Sequence, residues 1–186
     1  MSSARNKRLV VSALMLALAL VLPYFTGGIP AIGNLLLPMH LPVFLCGLIC
    51  GWQYGGLIGA ILPPLRYALF GMPILYPTGI AMMAELATYG IVAGFLYQRS
   101  RWQCLRALYR AIITAMVSGR AVWALAEIAL LGISADGFTW QMFISGALLN
   151  AIPGIIVQLI LLPAVMVALN RTGLVRFRKD IASQTR

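Results

Sequence analysis

A chain of 186 residues that is 61% hydrophobic and only 10% charged, with a mean hydropathy of +0.92, is no soluble globular domain; such domains average about 25% charged residues. Its net charge of +10 does not imply a nucleic-acid partner, because the basic residues sit in clusters between long apolar runs. Three cysteines make no disulfide framework. Cys46 and Cys50 lie one helical turn apart with no His or acidic residue at ligand spacing, so they read as small packing residues and no metal is expected.

A helix needs roughly 20 apolar residues to cross the hydrocarbon of a bilayer. The first run covers 9–25 and follows Arg5, Lys7 and Arg8. Its basic start resembles that of a signal peptide, but no small-residue cleavage site follows, and Pro23 and Tyr24 do, so it reads as a retained helix. The second run is 35–51, and the third, 54–70, follows almost at once. The fourth is 78–97, the fifth about 107–132 and the sixth about 140–169. The expectation is an all-α integral membrane six-helix bundle, with 1–186 as a single membrane domain.

Of the 14 Lys and Arg residues, 12 fall in three places. These are the N-terminal segment, the gap with Arg99, Arg101, Arg106 and Arg110, and the tail with Arg171, Arg176, Arg178, Lys179 and Arg186. Cytoplasmic segments concentrate basic residues in this way, where they set topology and meet anionic lipid. With the N-terminus inside, the outer segments 26–34, 71–77 and 133–139 hold no Lys or Arg. Both termini are therefore expected in the cytoplasm.

Arg66 and Arg120 remain, inside helices three and five, and Glu85, Glu127, His40 and Asn150 are intramembrane too. Ionisable groups in a span usually face a protein interior or a water-filled cavity. Counting from the helix ends, all six are central or outward, with Asn150 about 15 Å from the outer end of its helix. A cavity opening outward is the simplest account. Two plainer readings compete with it. Arg120 and Glu127, seven residues apart on one face, can belong to a structural ion-pair network, and Arg66 is close enough to the interface to snorkel. His40 alone reads more simply as a packed side chain.

The stretch ILPPLRYALFGMPILYPTG, residues 61–79, sets four prolines and two glycines beside Arg66. A proline inside a helix removes a hydrogen bond at a cost of about 3 kcal/mol. Pro63 and Pro64 are expected to bend or weaken helix three near its exit. Gly71, Met72, Pro73 and Tyr76 then form a stiff loop over the cavity, since non-helical backbone at membrane depth must be buried by protein or line a cavity. No phosphate-binding loop, H-E-x-x-H or G-x-S-x-G motif is present, so neither ATP hydrolysis nor catalysis by this chain is expected. An intramembrane enzyme stays open only if Glu127 and His40 meet, and an autonomous transporter or channel is disfavoured by the lack of an inverted repeat.

The stretches LLPMHLPVFLCGLICGWQYG, LPPLRYALFGMPILYPTGIAMMAELATYG and NAIPGIIVQLILLP together resemble the S components of energy-coupling-factor (ECF) transporters, with the pantothenate-type branch as the nearest. The likeness runs from helix one to about Pro163. It implies a prokaryotic plasma-membrane protein that binds a vitamin at its outer side. The implied partners are a transmembrane coupling subunit and two cytoplasmic ATPases, and no cofactor is implied. It also implies docking through an Ala-x-x-x-Ala pattern on helix one, where Ala13 and Ala17 fit and Ala19 lies nearby. Small residues one turn apart let helix backbones approach closely. For substrate, Arg120 is the expected main contact of an anionic group, with Trp123 three residues on as an apolar wall. Arg66, Glu127, Glu85, Asn150 and His40 complete the candidate set. Glu127 lies about 10.5 Å beyond Arg120 along the axis, leaving the guanidinium partly free.

Overall fold

The computed structural model describes residues 2–25, 39–132 and 152–172. Among these the chain is all-helical. The helices are α1 (Ser2–Phe25), α2 (His40–Cys50), α3 (Trp52–Phe70), α4 (Ile80–Arg99), α5 (Leu105–Leu131) and α6 (Ile152–Arg171), with a single wide turn, Leu75–Gly79, before α4. The segments Arg5–Pro23, Leu75–Arg99, Leu105–Leu131 and Ile152–Arg171 are long and apolar enough to cross a membrane. At 11 residues α2 rises only about 17 Å, roughly half the hydrocarbon thickness. Of the apolar run around it, 35–38 lie outside the described residues, as do 140–151 of the sixth run.

Helix α2 stops at Gly51, whose φ of 119° is open to glycine and strained for other residues, and α3 begins at the next residue. One tight corner thus sets α2 against α3. Helix α3 then runs unbroken through Pro63 and Pro64 to Phe70, so the expected weakening near its exit is not seen. Pro63 is fully buried, and packing on its neighbours holds the helix across the missing hydrogen bonds. Gly71, at φ 70° and ψ 3°, ends it by donating its N–H to the Tyr67 carbonyl at 2.8 Å.

Helix α4 is the hub and packs on α2, α3 and α5. Its buried face repeats at helical spacing: Ala81, Glu85, Tyr89, Ala93 and Tyr97, with Leu86, Gly90 and Gly94 beside them. The approach to α2 and α3 is set by glycine. A Cβ on Gly55 would lie 2.8 Å from the Gly47 nitrogen and 2.9 Å from the Gly90 carbonyl oxygen. Three helices can meet there only without side chains, which is how helices associate where lipid is as apolar as leucine. Phe44, Leu62, Leu86, Leu108, Ile112, Leu162 and Met166 fill the core. Leu57, Ile61, Ile113, Val117, Leu125, Ile156 and Ile160 point outward and stay exposed. Apolar surface that extensive marks a face for lipid or a partner.

Candidate functional site

Packing of α4 on α5 brings together two charges that lie 35 positions apart in the chain. The Arg120 guanidinium donates from Nη1 to Glu85 Oε1 at 3.1 Å, with Glu85 2% exposed and Arg120 18%. The same oxygen accepts the Tyr89 hydroxyl at 2.5 Å. Tyr89 stands one turn beyond Glu85, so helical geometry alone aims its phenol at the carboxylate. Its ring stacks on Phe44 at 4.9 Å and lies tilted against His40 at 5.5 Å. It also rests on Gly119, where a Cβ would strike the ring. The residue before Arg120 thus gives the space that lets α4 and α5 close on the ion pair.

The seven-residue spacing of Arg120 and Glu127 suggested a pair along one helix, whereas the guanidinium reaches across to α4. A buried carboxylate on a neighbouring helix, already oriented by a phenol, meets it at bonding distance, while Glu127 is two turns away. Glu127 is 5% exposed and has no partner among the described residues. The Nε of Arg120 likewise has no hydrogen-bond partner among them. Trp123 is half-buried one turn further on.

Arg66 is half-buried near the end of α3 and points Nη1 at Met39 Sδ, 3.7 Å away. Met39 precedes His40, which is 1% exposed, so this contact ties the end of α3 to the start of α2, where the Tyr89 cluster begins. Glu85, Arg120 and His40 therefore share one cluster, Arg66 borders it, and Asn150 lies outside the described residues. Tyr89, Phe44 and Gly119 were missed from sequence. The Glu85–Tyr89 spacing was there to be found, whereas nothing local marks Gly119. Among the described residues no three His, Cys, Asp or Glu side chains gather as metal ligands.

Beyond α3, Gly71, Met72 and Tyr76 are exposed and Pro73 half-buried, in a connection where Tyr76 itself is extended (φ −115°, ψ 131°). The Tyr76 hydroxyl donates to the Leu130 carbonyl at 2.8 Å. Leu130 is in the last turn of α5, where carbonyls lack partners within the helix, so the loop is latched to the end of α5 nearest Glu127. On α1, Ala13 and Ala17 lie on the exposed face with Leu14, Leu18 and Val21, while Ala19 is fully buried and belongs to the opposite face.

Apolar helices long enough to cross a bilayer, closed through glycines around a buried carboxylate–guanidinium pair, have the build of a polytopic membrane protein. Residues 7–166 match the family of the ECF transporter, substrate-specific component, and the chain belongs to that family. Comparison with curated proteins and with solved structures gives no match. Members of the family are substrate-binding subunits of ECF transporters and not enzymes; they bind small molecules and work with a membrane coupling subunit and ATPases.

Proposed function

We infer that this chain captures a small carboxylate-bearing metabolite, with pantothenate the best candidate, from the outer side of a prokaryotic plasma membrane. It then passes the substrate inward through a coupling subunit driven by two cytoplasmic ATPases. In this reading 1–186 is one membrane domain with both termini cytoplasmic, as the basic clusters suggest. Arg120 is the anionic-group contact, and Trp123, Arg66, Asn150, His40, Glu85 and Glu127 line or support the site. The observation that carries it is the state of the Arg120 head. A guanidinium has five donors. Glu85 takes one, and Nε, on the edge suited to fork-like carboxylate pairing, has no partner among the described residues. A buried donor without an acceptor costs about 1–3 kcal/mol, which a bound carboxylate recovers.

Mass spectrometry of the ligand co-purifying with detergent-solubilised protein tests the identity directly. Titration calorimetry with pantothenate tests the contact. Arg120→Lys keeps the charge beside Glu85 but removes the planar fork, and binding should weaken at least tenfold, about 1.4 kcal/mol. Unchanged binding removes Arg120 from the site. A second reading has one observation behind it. Glu127, buried without a partner among the described residues, suits a cationic substrate. In that case Glu127→Gln abolishes binding and Arg120→Lys does not.

A further inference from the structure

At the end of the bundle where α4 passes into α5, a cleft of about 570 Å³ is lined by Arg99, Arg101, Arg106 and Arg110 and, among the described residues, by no acidic side chain. Its position at the ends of two membrane-crossing helices places it at a membrane–water boundary. Arg106 and Arg110 are one turn apart on α5, and Arg99 closes α4 with its guanidinium over the Phe95 ring at 5.6 Å. Helix α5 starts inside this lining, and among the described residues its N-cap Cys104 gives no side-chain capping bond, so that side chain does not compete with an anion for the first-turn N–H groups. The cleft does not stay polar. Its wall continues along Leu96, Ala107 and Ala111 to Thr114, which is about 13.5 Å along α5 from Leu105. Trp102, exposed at the rim, has the amphipathic ring that settles at headgroup level.

We propose that this cleft is a specific seat for one anionic phospholipid, with the phosphate held by Arg106, Arg110 and the start of α5, and an acyl chain laid along Leu96, Ala107 and Thr114. The arginines alone suit any phosphate, free or esterified. The apolar descent into the bilayer selects the esterified one, because a free anion leaves that part of the cleft empty. Such a seat differs from diffuse attraction of basic loops to an anionic surface in being stoichiometric and tied to named residues. It is independent of which substrate the protein carries.

The test is native mass spectrometry of the delipidated full chain in uncharged detergent, titrated with phosphatidylglycerol, phosphatidylcholine or inorganic phosphate. One phosphatidylglycerol should bind and withstand equimolar phosphatidylcholine and phosphate. Arg106→Gln with Arg110→Gln should weaken it roughly thirtyfold, at about fivefold per arginine. Removing two charges from the N-terminal cluster, by Arg5→Gln with Arg8→Gln, should change it by about twofold or less, because neither residue lines the cleft and exposed charges act through screening solvent. Equal losses in the two variants mean diffuse attraction and overturn the proposal. Displacement of the lipid by inorganic phosphate means a free-anion site and also overturns it. So does unchanged lipid binding with loss of ATPase co-purification, which makes the cleft a protein interface. A wild-type measurement stands apart from any folding defect: phosphatidylglycerol with a diazirine in its acyl chain should label the peptides holding Leu96 and Thr114, and labelling confined to other helices refutes the seat.

Discussion

Arg120 and Glu85 form a pair whose removal is asymmetric. Each charge inside the bundle is tolerable because the other is there, and Tyr89 supplies the carboxylate with a further donor. Arg120→Ala strands a carboxylate that is 2% exposed, and folded protein should lose about 3–5 kcal/mol of stability, seen as a lower melting temperature in detergent. Glu85→Gln in the same chain keeps an acceptor for Tyr89 and removes the stranded charge, so the double variant should recover most of that loss. A double variant no more stable than Arg120→Ala shows that the pair is not what Arg120 contributes. This cycle also keeps binding and folding apart. A binding defect that persists in the stable double variant belongs to substrate contact, and one that vanishes belongs to structure.

At the scale of the element, α1 and the 71–79 connection carry separate expectations. Helix α1 turns Ser12 and Ala19 inward and leaves Ala13 and Ala17 on an open apolar face. With two Trp side chains at those positions, close backbone approach by a partner helix is blocked. Ala13→Trp with Ala17→Trp should abolish co-purification with a coupling subunit, while the isolated chain still binds substrate. Normal assembly of that variant puts the interface elsewhere. The connection over residues 71–79 is latched by the Tyr76 hydroxyl to the last turn of α5. If it closes over substrate, a spin label at the exposed Ile74 should lose mobility when ligand is added, and an unchanged spectrum at saturation argues against a lid. Helix α3 offers a comparison within the same segment. Two prolines in its interior do not break it, because the surrounding packing outweighs the lost hydrogen bonds, whereas Gly71 ends it in a left-handed turn.

For the whole molecule, orientation is the quantity that charge placement sets, and the chain has a native probe for it. Cys104 is exposed in the basic α4–α5 connection, while Cys46 and Cys50 are buried. With that connection cytoplasmic, a membrane-impermeant maleimide should label the protein in inside-out vesicles and leave it unlabelled in intact cells. The Cys104→Ser variant should lose the signal. Labelling in intact cells reverses the topology and, with it, the outward-facing site.

The membrane class, the all-helical fold and the basic clusters were legible in the sequence, because run length, hydropathy and charge are local properties of the chain read in one dimension. The quoted motif stretches carried the family in the same way. Sequence also marked Arg66, Arg120, Glu85, Glu127 and His40 as the polar groups that an apolar bundle must account for. Tertiary structure alone decided who meets whom. Arg120 joins Glu85 and not Glu127 because α4 crosses α5 where Gly119 leaves room for the Tyr89 ring, and Ala19 is buried while Ala13 and Ala17 stay exposed because α2 covers one side of α1 and not the other. Helical periodicity fixes which residues share a face. Which face is turned to which neighbour follows from the depth at which glycines let backbones touch, and that depends on three helices at once.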